Sequence, residues 1–290
     1  MTEIKWWHER SDGMGITQSL DVKLLVSEQS PYQLIEIYDH EFFGRLLVLD
    51  GYIQASNADE FIYHEMAVHV PLLGRERDKA SVLIIGGGEG GILREALKHD
   101  FVTDVTMVEI DQRVIELSNE YLGVNGDYND PRVTLVIDNA ANLVSQSLET
   151  GKKYDLIVLD LTEPVGPSSC LFTKEFLANV TEIVSETGVI IDSDSIFLSK
   201  SGGHFLQEVS ADGENLVSVM QNTKMLPHFE MYHTNIPLYP GADFGFFIYS
   251  RDGVSLRNPV KDFEGRHYNA DVHQASFAIP NWQKKWLGIK

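Results

Sequence analysis

Two acids three residues apart, Asp160 and Glu163, follow the apolar run Leu156–Leu159 in the stretch Asp160-Leu161-Thr162-Glu163-Pro164-Val165-Gly166-Pro167. Carboxylates so placed suit a reaction in which an amine attacks. At neutral pH the amine is an ammonium without a lone pair, so a carboxylate must first take or relay its proton. Upstream, Gly86-Gly87-Gly88-Glu89-Gly90-Gly91 satisfies G-x-G-x-x-G at Gly86, Gly88 and Gly91. Glycines there let the backbone turn tightly and come close to a ligand, either a dinucleotide or the adenosyl group of S-adenosylmethionine. Glu109 ends the next apolar run, in Val108-Glu109-Ile110-Asp111, where a carboxylate can accept from ribose hydroxyls. Asp138 and Asn139 end the run after that, placed to contact adenine. A dehydrogenase needs no acid pair at 160 and 163; a transferase acting on an amine does.

These residues need a scaffold that brings strand ends together. Ser81–Ile85, Asp104–Val108, Val133–Ile137 and Leu156–Leu159 read as buried strands, with helices at Ile92–His99 and Gln112–Tyr121 and helical segments around the later strands. Such alternation predicts an α/β fold with a mostly parallel, doubly wound sheet. Gly188–Ile191 continues it, and Gly245–Ser250 closes it as an antiparallel edge. Before residue 73 the texture differs: Leu24–Val26, Gln33–Tyr38 and Leu46–Leu49 are short strands, and Asp50-Gly51 predicts a hairpin with Tyr52–Ala55. A helix follows from Phe61 to Val70, ending at Pro71. The expected division is residues 1–72, a small β-strand domain, and residues 73–290, a Rossmann-like catalytic domain.

Composition narrows the classes of partner. The chain has 290 residues, 43% hydrophobic and 23% charged, as a globular protein does. Its 23 basic and 43 acidic residues leave a net charge of −20, which repels nucleic acid and anionic membranes and attracts cationic ligands. No stretch approaches the ~20 apolar residues of a membrane span, and the start lacks a secretory pattern. The single cysteine, Cys170, excludes an intramolecular disulfide and fits a reducing cytoplasm. No clustered His/Cys spacing predicts a metal site.

With these elements assembled, the chain resembles spermidine synthases along nearly its whole length. The resemblance rests on Leu49-Asp50-Gly51-Tyr52-Ile53-Gln54, Asp59-Glu60-Phe61-Ile62-Tyr63-His64-Glu65-Met66, Gly86–Gly91 with Leu93-Arg94-Glu95, Val108–Asp111, Asp160–Pro167 with Leu171-Phe172-Thr173, and Ile236–Pro240. It implies a methyltransferase-like Rossmann domain behind a small N-terminal β-strand domain, in homodimers or homotetramers. The implied reaction moves an aminopropyl group from decarboxylated S-adenosylmethionine, a co-substrate and no prosthetic group, to a diamine or polyamine, putrescine by default. Gln33 and Gln54 would contact that donor, and Glu109 its ribose. Tyr63 and His64 would line the junction of donor and acceptor, and Asp160 would deprotonate or orient the attacking amine. Glu163 and Tyr239 would help hold the acceptor, with Asp160–Thr173 as a gatekeeping loop.

The chain departs from the family pattern at five places that face donor or acceptor. Glu89 stands where an aspartate usually holds the donor's amine, a feature shared with thermospermine synthases. Asn139 replaces the acid near adenine, and Glu163 the second aspartate of the gatekeeping pair. Asp192-Ser193-Asp194-Ser195 replaces a glutamine-containing stretch, where Asp192 or Asp194 would add to an acidic acceptor lining, and Leu238 replaces a threonine before Tyr239. These changes bear on which amine is used and leave the reaction class intact. Alternatives on the same residues are an S-adenosylmethionine-dependent amine N-methyltransferase, a non-catalytic polyamine-binding protein and an NAD oxidoreductase.

Overall fold

A computed structural model describes residues 6–9, 17–124, 126–162, 168, 171–195, 226–239 and 241–287, without the side chains of 194, 195, 286 and 287. Glu163, Cys170, Pro240 and half of the expected gatekeeping stretch Asp160–Thr173 lie outside the described residues.

The N-terminal strands β1 (Trp6–His8) and β2 (Ser19–Asp21) pair antiparallel. A four-stranded antiparallel sheet follows in the order β3 (Lys23–Gln29), β4 (Leu34–His40), β5 (Gly44–Leu49), β6 (Tyr52–Ser56). The Asp-Gly turn forms as expected: Asp50 and Gly51 both take positive φ, 50° and 88°, and Leu49 pairs with Tyr52. Asp50 tolerates that conformation because its Oδ1 accepts the Leu34 N–H at 2.8 Å.

Helix α1 (Glu60–Leu73) begins one residue before the expected span and runs through Pro71. Proline removes a single N–H so close to the helix end, and the Gly74 N–H still closes onto the Val70 carbonyl at 3.0 Å. Almost every side chain of α1 is buried. It lies between the rest of the protein and a C-terminal segment that Glu65 holds in place. The fully buried Glu65 carboxylate accepts the backbone N–H groups of Arg266, His267 and Tyr268, each at 2.8 Å.

The main sheet has the order β12 (His228–Asn235), β13 (Asp243–Ser250), β11 (Val184–Ser195), β10 (Tyr154–Asp160), β7 (Ala80–Gly86), β8 (Val102–Glu109), β9 (Val133–Ile137). The five strands from β11 to β9 are parallel, and β13 and β12 are antiparallel to their neighbours. Helices α1 and α2 (Gly91–Leu97) cover one face; α4 (Ala140–Thr150) and α5 (Lys174–Glu182) cover the other. Helix α3 (Gln112–Tyr121) packs Val114 and Leu117 against Ile35, Ile37, Leu47 and Leu49 of the small sheet. Short helices α6 (Ala270–Ser276) and α7 (Asn281–Leu287) end the described chain.

Two sequence expectations are corrected. The strand at Gly245–Ser250 is antiparallel but interior, because β12 pairs along its outer side and is the true edge. The Val133–Ile137 run forms the opposite edge and is only half covered, with Ile137 42% exposed.

The Glu65 anchor generates a prediction. Glu65→Gln keeps the size but turns an amide donor toward backbone donors, so stability should fall by about 2–4 kcal/mol. Urea unfolding checks this, and a loss under about 0.5 kcal/mol would remove Glu65 as an anchor.

Candidate active site

Strand order reverses between β7 and β10, and there the register sets Asp160 directly beside Gly86. In open α/β sheets this is where the crevice for a ligand opens. Gly86 has φ of 86°, and a Cβ on it would lie 2.0 Å from the Asp160 carbonyl oxygen, so no side chain fits. A Cβ on Gly88 would meet Val114 at 2.8 Å and Glu109 Oε2 at 3.1 Å, so the glycine loop runs close past the Glu109 carboxylate. Helix α2 then starts at Gly91, and the Tyr128 hydroxyl donates to the Gly88 carbonyl at 3.3 Å.

Helix α1 supplies the opposite wall. The Tyr63 hydroxyl donates to Asp160 Oδ1 at 2.7 Å and lies 3.0 Å from Ser193 Oγ. Its ring is wedged among His64, Phe244 and Phe246. His64 bridges two carboxylates, with Nδ1 2.6 Å from Glu60 Oε2 and Nε2 2.7 Å from Glu89 Oε1. Burial alone would favour neutral imidazole, but the two carboxylates outweigh it and hold His64 up at about 10, an imidazolium at neutral pH. Glu60 is drawn down to about 2 despite its burial, because His64 and Arg94 both bind it.

Asp160 and Glu109 shift the opposite way from Glu60. Burial pushes Asp160 up to about 7, with Glu89 adding like-charge repulsion. Burial likewise lifts Glu109 to about 7, although its Oε1 accepts the Asp111 N–H at 2.8 Å. Asp160 Oδ2 is buried and, among the described residues, accepts no hydrogen bond.

The remaining expected site residues divide. Gln33 is buried and donates to Asp111 Oδ2 at 3.1 Å, which ties it to the Glu109 side of the crevice. Gln54 donates to the Tyr52 carbonyl within its own strand, while its backbone oxygen accepts from the Tyr239 hydroxyl at 2.6 Å. That bond brings Tyr239 to the small sheet. Asn139 caps α4 through its side-chain oxygen, which accepts the Ala141 N–H at 2.9 Å; Asp138 accepts the Asn139 N–H and the Asn142 amide. Asp192 sits on the far face of the sheet beside Tyr249, away from Tyr63, because side chains alternate along β11. Sequence reading missed Glu60, Arg94 and Ser193. Glu60 was signalled by its i, i+4 spacing to His64.

Among the described residues, His64, Glu89 and Asp160 offer ligand atoms within 4.8 Å of one another. An imidazolium with both nitrogens committed has no lone pair for a metal. The acidic crevice instead suits an organic cation.

Residues 60–258 match the family model of the spermine/spermidine synthase domain. The chain belongs to that family. Residues 5–57 match the spermidine synthase tetramerisation domain. Among curated relatives of this spermidine synthase homologue, the polyamine aminopropyltransferase of Bacillus subtilis (strain 168) is 35% identical, covering 97% of this chain and 98% of its own. The polyamine aminopropyltransferase of Pectobacterium atrosepticum is 38% identical over 96% and 95%. A crystal structure of spermidine synthase with the transition-state analogue AdoDATO superposes with TM-score 0.83 at 30% identity, over 100% of this chain and 98% of that one. The Thermotoga maritima spermidine synthase gives 0.81 at 30% identity, over 100% and 97%.

The His64 bridge carries a sign for stability. A histidine raised in the folded state stabilises fully below about pH 6.5 and loses that contribution as pH rises through about 10. The unfolding free energy of wild type over His64→Gln should therefore shrink between about pH 7 and about pH 10. Urea titrations at the two pH values check it; a constant difference would mean a neutral imidazole.

Proposed function

We propose that the protein is a polyamine aminopropyltransferase that uses decarboxylated S-adenosylmethionine to extend a diamine or polyamine, putrescine to spermidine by default, and releases 5'-methylthioadenosine. The observation that carries the reading is Asp160: a carboxylate at the switch point, with Oδ1 held by Tyr63 and Oδ2 buried without a partner among the described residues.

In this reading the donor's adenosyl group lies along the glycine loop at Gly86 and Gly88. Its ribose faces Glu109, and Gln33, Gln54, Asp138 and Asn139 complete the donor side. Glu89 faces the donor's ammonium, its carboxylate fixed by the His64 imidazolium. Tyr63, His64 and Tyr239 border the acceptor, with Glu163 as a second anchor for its charge. The acceptor ammonium gives a proton to Asp160 Oδ2, which frees the nitrogen lone pair. That nitrogen attacks the donor's methylene carbon next to the sulfonium. As the C–N bond forms, the C–S bond breaks and its electron pair stays on sulfur as a neutral thioether. Holding both reactants in line supplies most of the rate, and base assistance adds ~10²–10⁴-fold.

Residues 1–72 would roof the crevice and residues 73–290 form its floor. The tetramerisation-domain match supports a homo-oligomer, dimer or tetramer. Among the described residues no helix is long and apolar enough to cross a membrane. The lone cysteine suits work in the reducing cytoplasm, and the acidic charge argues against nucleic-acid partners.

The test is product mass from the purified chain with decarboxylated or intact S-adenosylmethionine across a panel of amines. An aminopropyl gain with methylthioadenosine release is expected; a methyl gain from the intact donor would establish the methyltransferase instead. Asp160→Asn should lower turnover at saturating substrate by ~10²–10⁴-fold while 5'-methylthioadenosine still binds. Near-normal turnover would remove Asp160 from the mechanism.

Donor binding should also expel protons. Decarboxylated S-adenosylmethionine brings a sulfonium and an ammonium to carboxyls held at about 7, which lowers their pKa. Calorimetry near pH 7 in buffers of different ionisation enthalpy should register proton release, absent near pH 9 and much smaller for uncharged methylthioadenosine. Equal release by both ligands would overturn the charge assignment.

A further inference from the structure

Strands β10 and β11 run parallel with Val158 opposite Ile191. Two residues further along each strand stand Asp160 and Ser193, level with one another and on the same face. That face is the one under α1, as the shared packing of Val158, Ile191, Phe246 and Tyr63 shows. Tyr63 drops its hydroxyl between them, 2.7 Å from Asp160 Oδ1 and 3.0 Å from Ser193 Oγ. A tyrosine hydroxyl has one proton to give. With Asp160 ionised, that proton goes to the carboxylate, so the second contact closes only if Ser193 donates to Tyr63.

We propose that Ser193 is a positioning residue for the aminopropyl transfer: its hydroxyl donates to Tyr63, which donates to Asp160, so that Oδ1 stays occupied and Oδ2 is left to the attacking amine. This inference rests on the reading of Asp160 as the base.

The relay has a chemical consequence. Hydrogen bonds in series polarise one another, so a donor behind Tyr63 makes Tyr63 the better donor to the carboxylate. Ionised Asp160 is thereby favoured against the burial and the neighbouring acids that oppose it. Among the described residues, the groups facing Asp160 include Tyr63 and His64 from α1, Glu89 from the glycine loop and Glu109 from β8. Tyr239 faces Tyr63 from the turn after β12. Tyr63 itself keeps its proton, because burial first and Asp160 second hold it well above the ordinary tyrosine range.

The experiment uses full-length Ser193→Ala and Ser193→Thr. The Asp160 carboxyl is titrated by carbon-13 NMR in the ligand-free protein, its resonance identified as the one missing in Asp160→Asn. Ser193→Ala should raise the Asp160 pKa by about half a unit, and Ser193→Thr, which keeps a hydroxyl, should return it. The acidic limb of kcat/KM should move by the same amount, a loss of about threefold near pH 6 with little change near pH 9. An Asp160 pKa unchanged in Ser193→Ala, with only a lower Tm, overturns the relay. A shifted carboxyl titration with an unshifted kinetic limb upholds the relay and shows instead that Asp160 is not the base.

Discussion

Carboxylates packed together out of water cannot all stay ionised unless cations sit among them. Glu60, Glu89, Glu109 and Asp160 converge at the carboxyl edge of this sheet, and the site is organised by how each is compensated. Glu60 and Glu89 share the His64 imidazolium, with Arg94 on the far side of Glu60. Among the described residues Glu109 and Asp160 take hydrogen bonds from neutral groups, the Asp111 N–H and the Tyr63 hydroxyl among them, and burial holds their protons more firmly than usual. The crevice therefore contains two acids with settled charge and two without. An organic cation entering there would supply what the second pair lacks.

That arrangement depends on the backbone. The β7–β10 pairing places Asp160 against Gly86, and α1, buried nearly all round, is pressed onto the same spot by the C-terminal segment that Glu65 grips. The small sheet is tied in through α3 and through the Tyr239 hydroxyl on the Gln54 carbonyl. The side chains at the crevice thus come from strand ends, a helix and a turn far apart in the chain, each held by contacts outside it.

Much of this was legible in the residues. Continuous apolar runs ended by Gly86, Glu109, Asp138 and Asp160 gave the parallel strands and the side of the sheet that carries the chemistry, because buried strands must be apolar on both faces. The Asp50-Gly51 turn was equally plain, since few residue pairs accept two positive φ values. The outer strands were harder. β12 has no uniform apolar run and β9 is half exposed, so edge position was invisible until pairing was known. The pairing of His64 with Glu89 depends on how α1 is rotated against the glycine loop, which no local pattern encodes. Asp192 and Ser193 look interchangeable as neighbouring polar residues, yet the pleat sends them to opposite sides of the sheet.

Tyr63, His64 and Glu65 are consecutive, and each reaches a different structure: Asp160, the Glu60–Glu89 pair and the C-terminal backbone. Successive helical residues are turned by about 100°. Helix α1 therefore works like a key with three cuts, and its angular phase matters as much as its chemistry. Removing one residue near its start would leave every side chain type in place and swing all three off their partners together. The helix can tolerate a poor residue at one notch, but not a shift of the whole key.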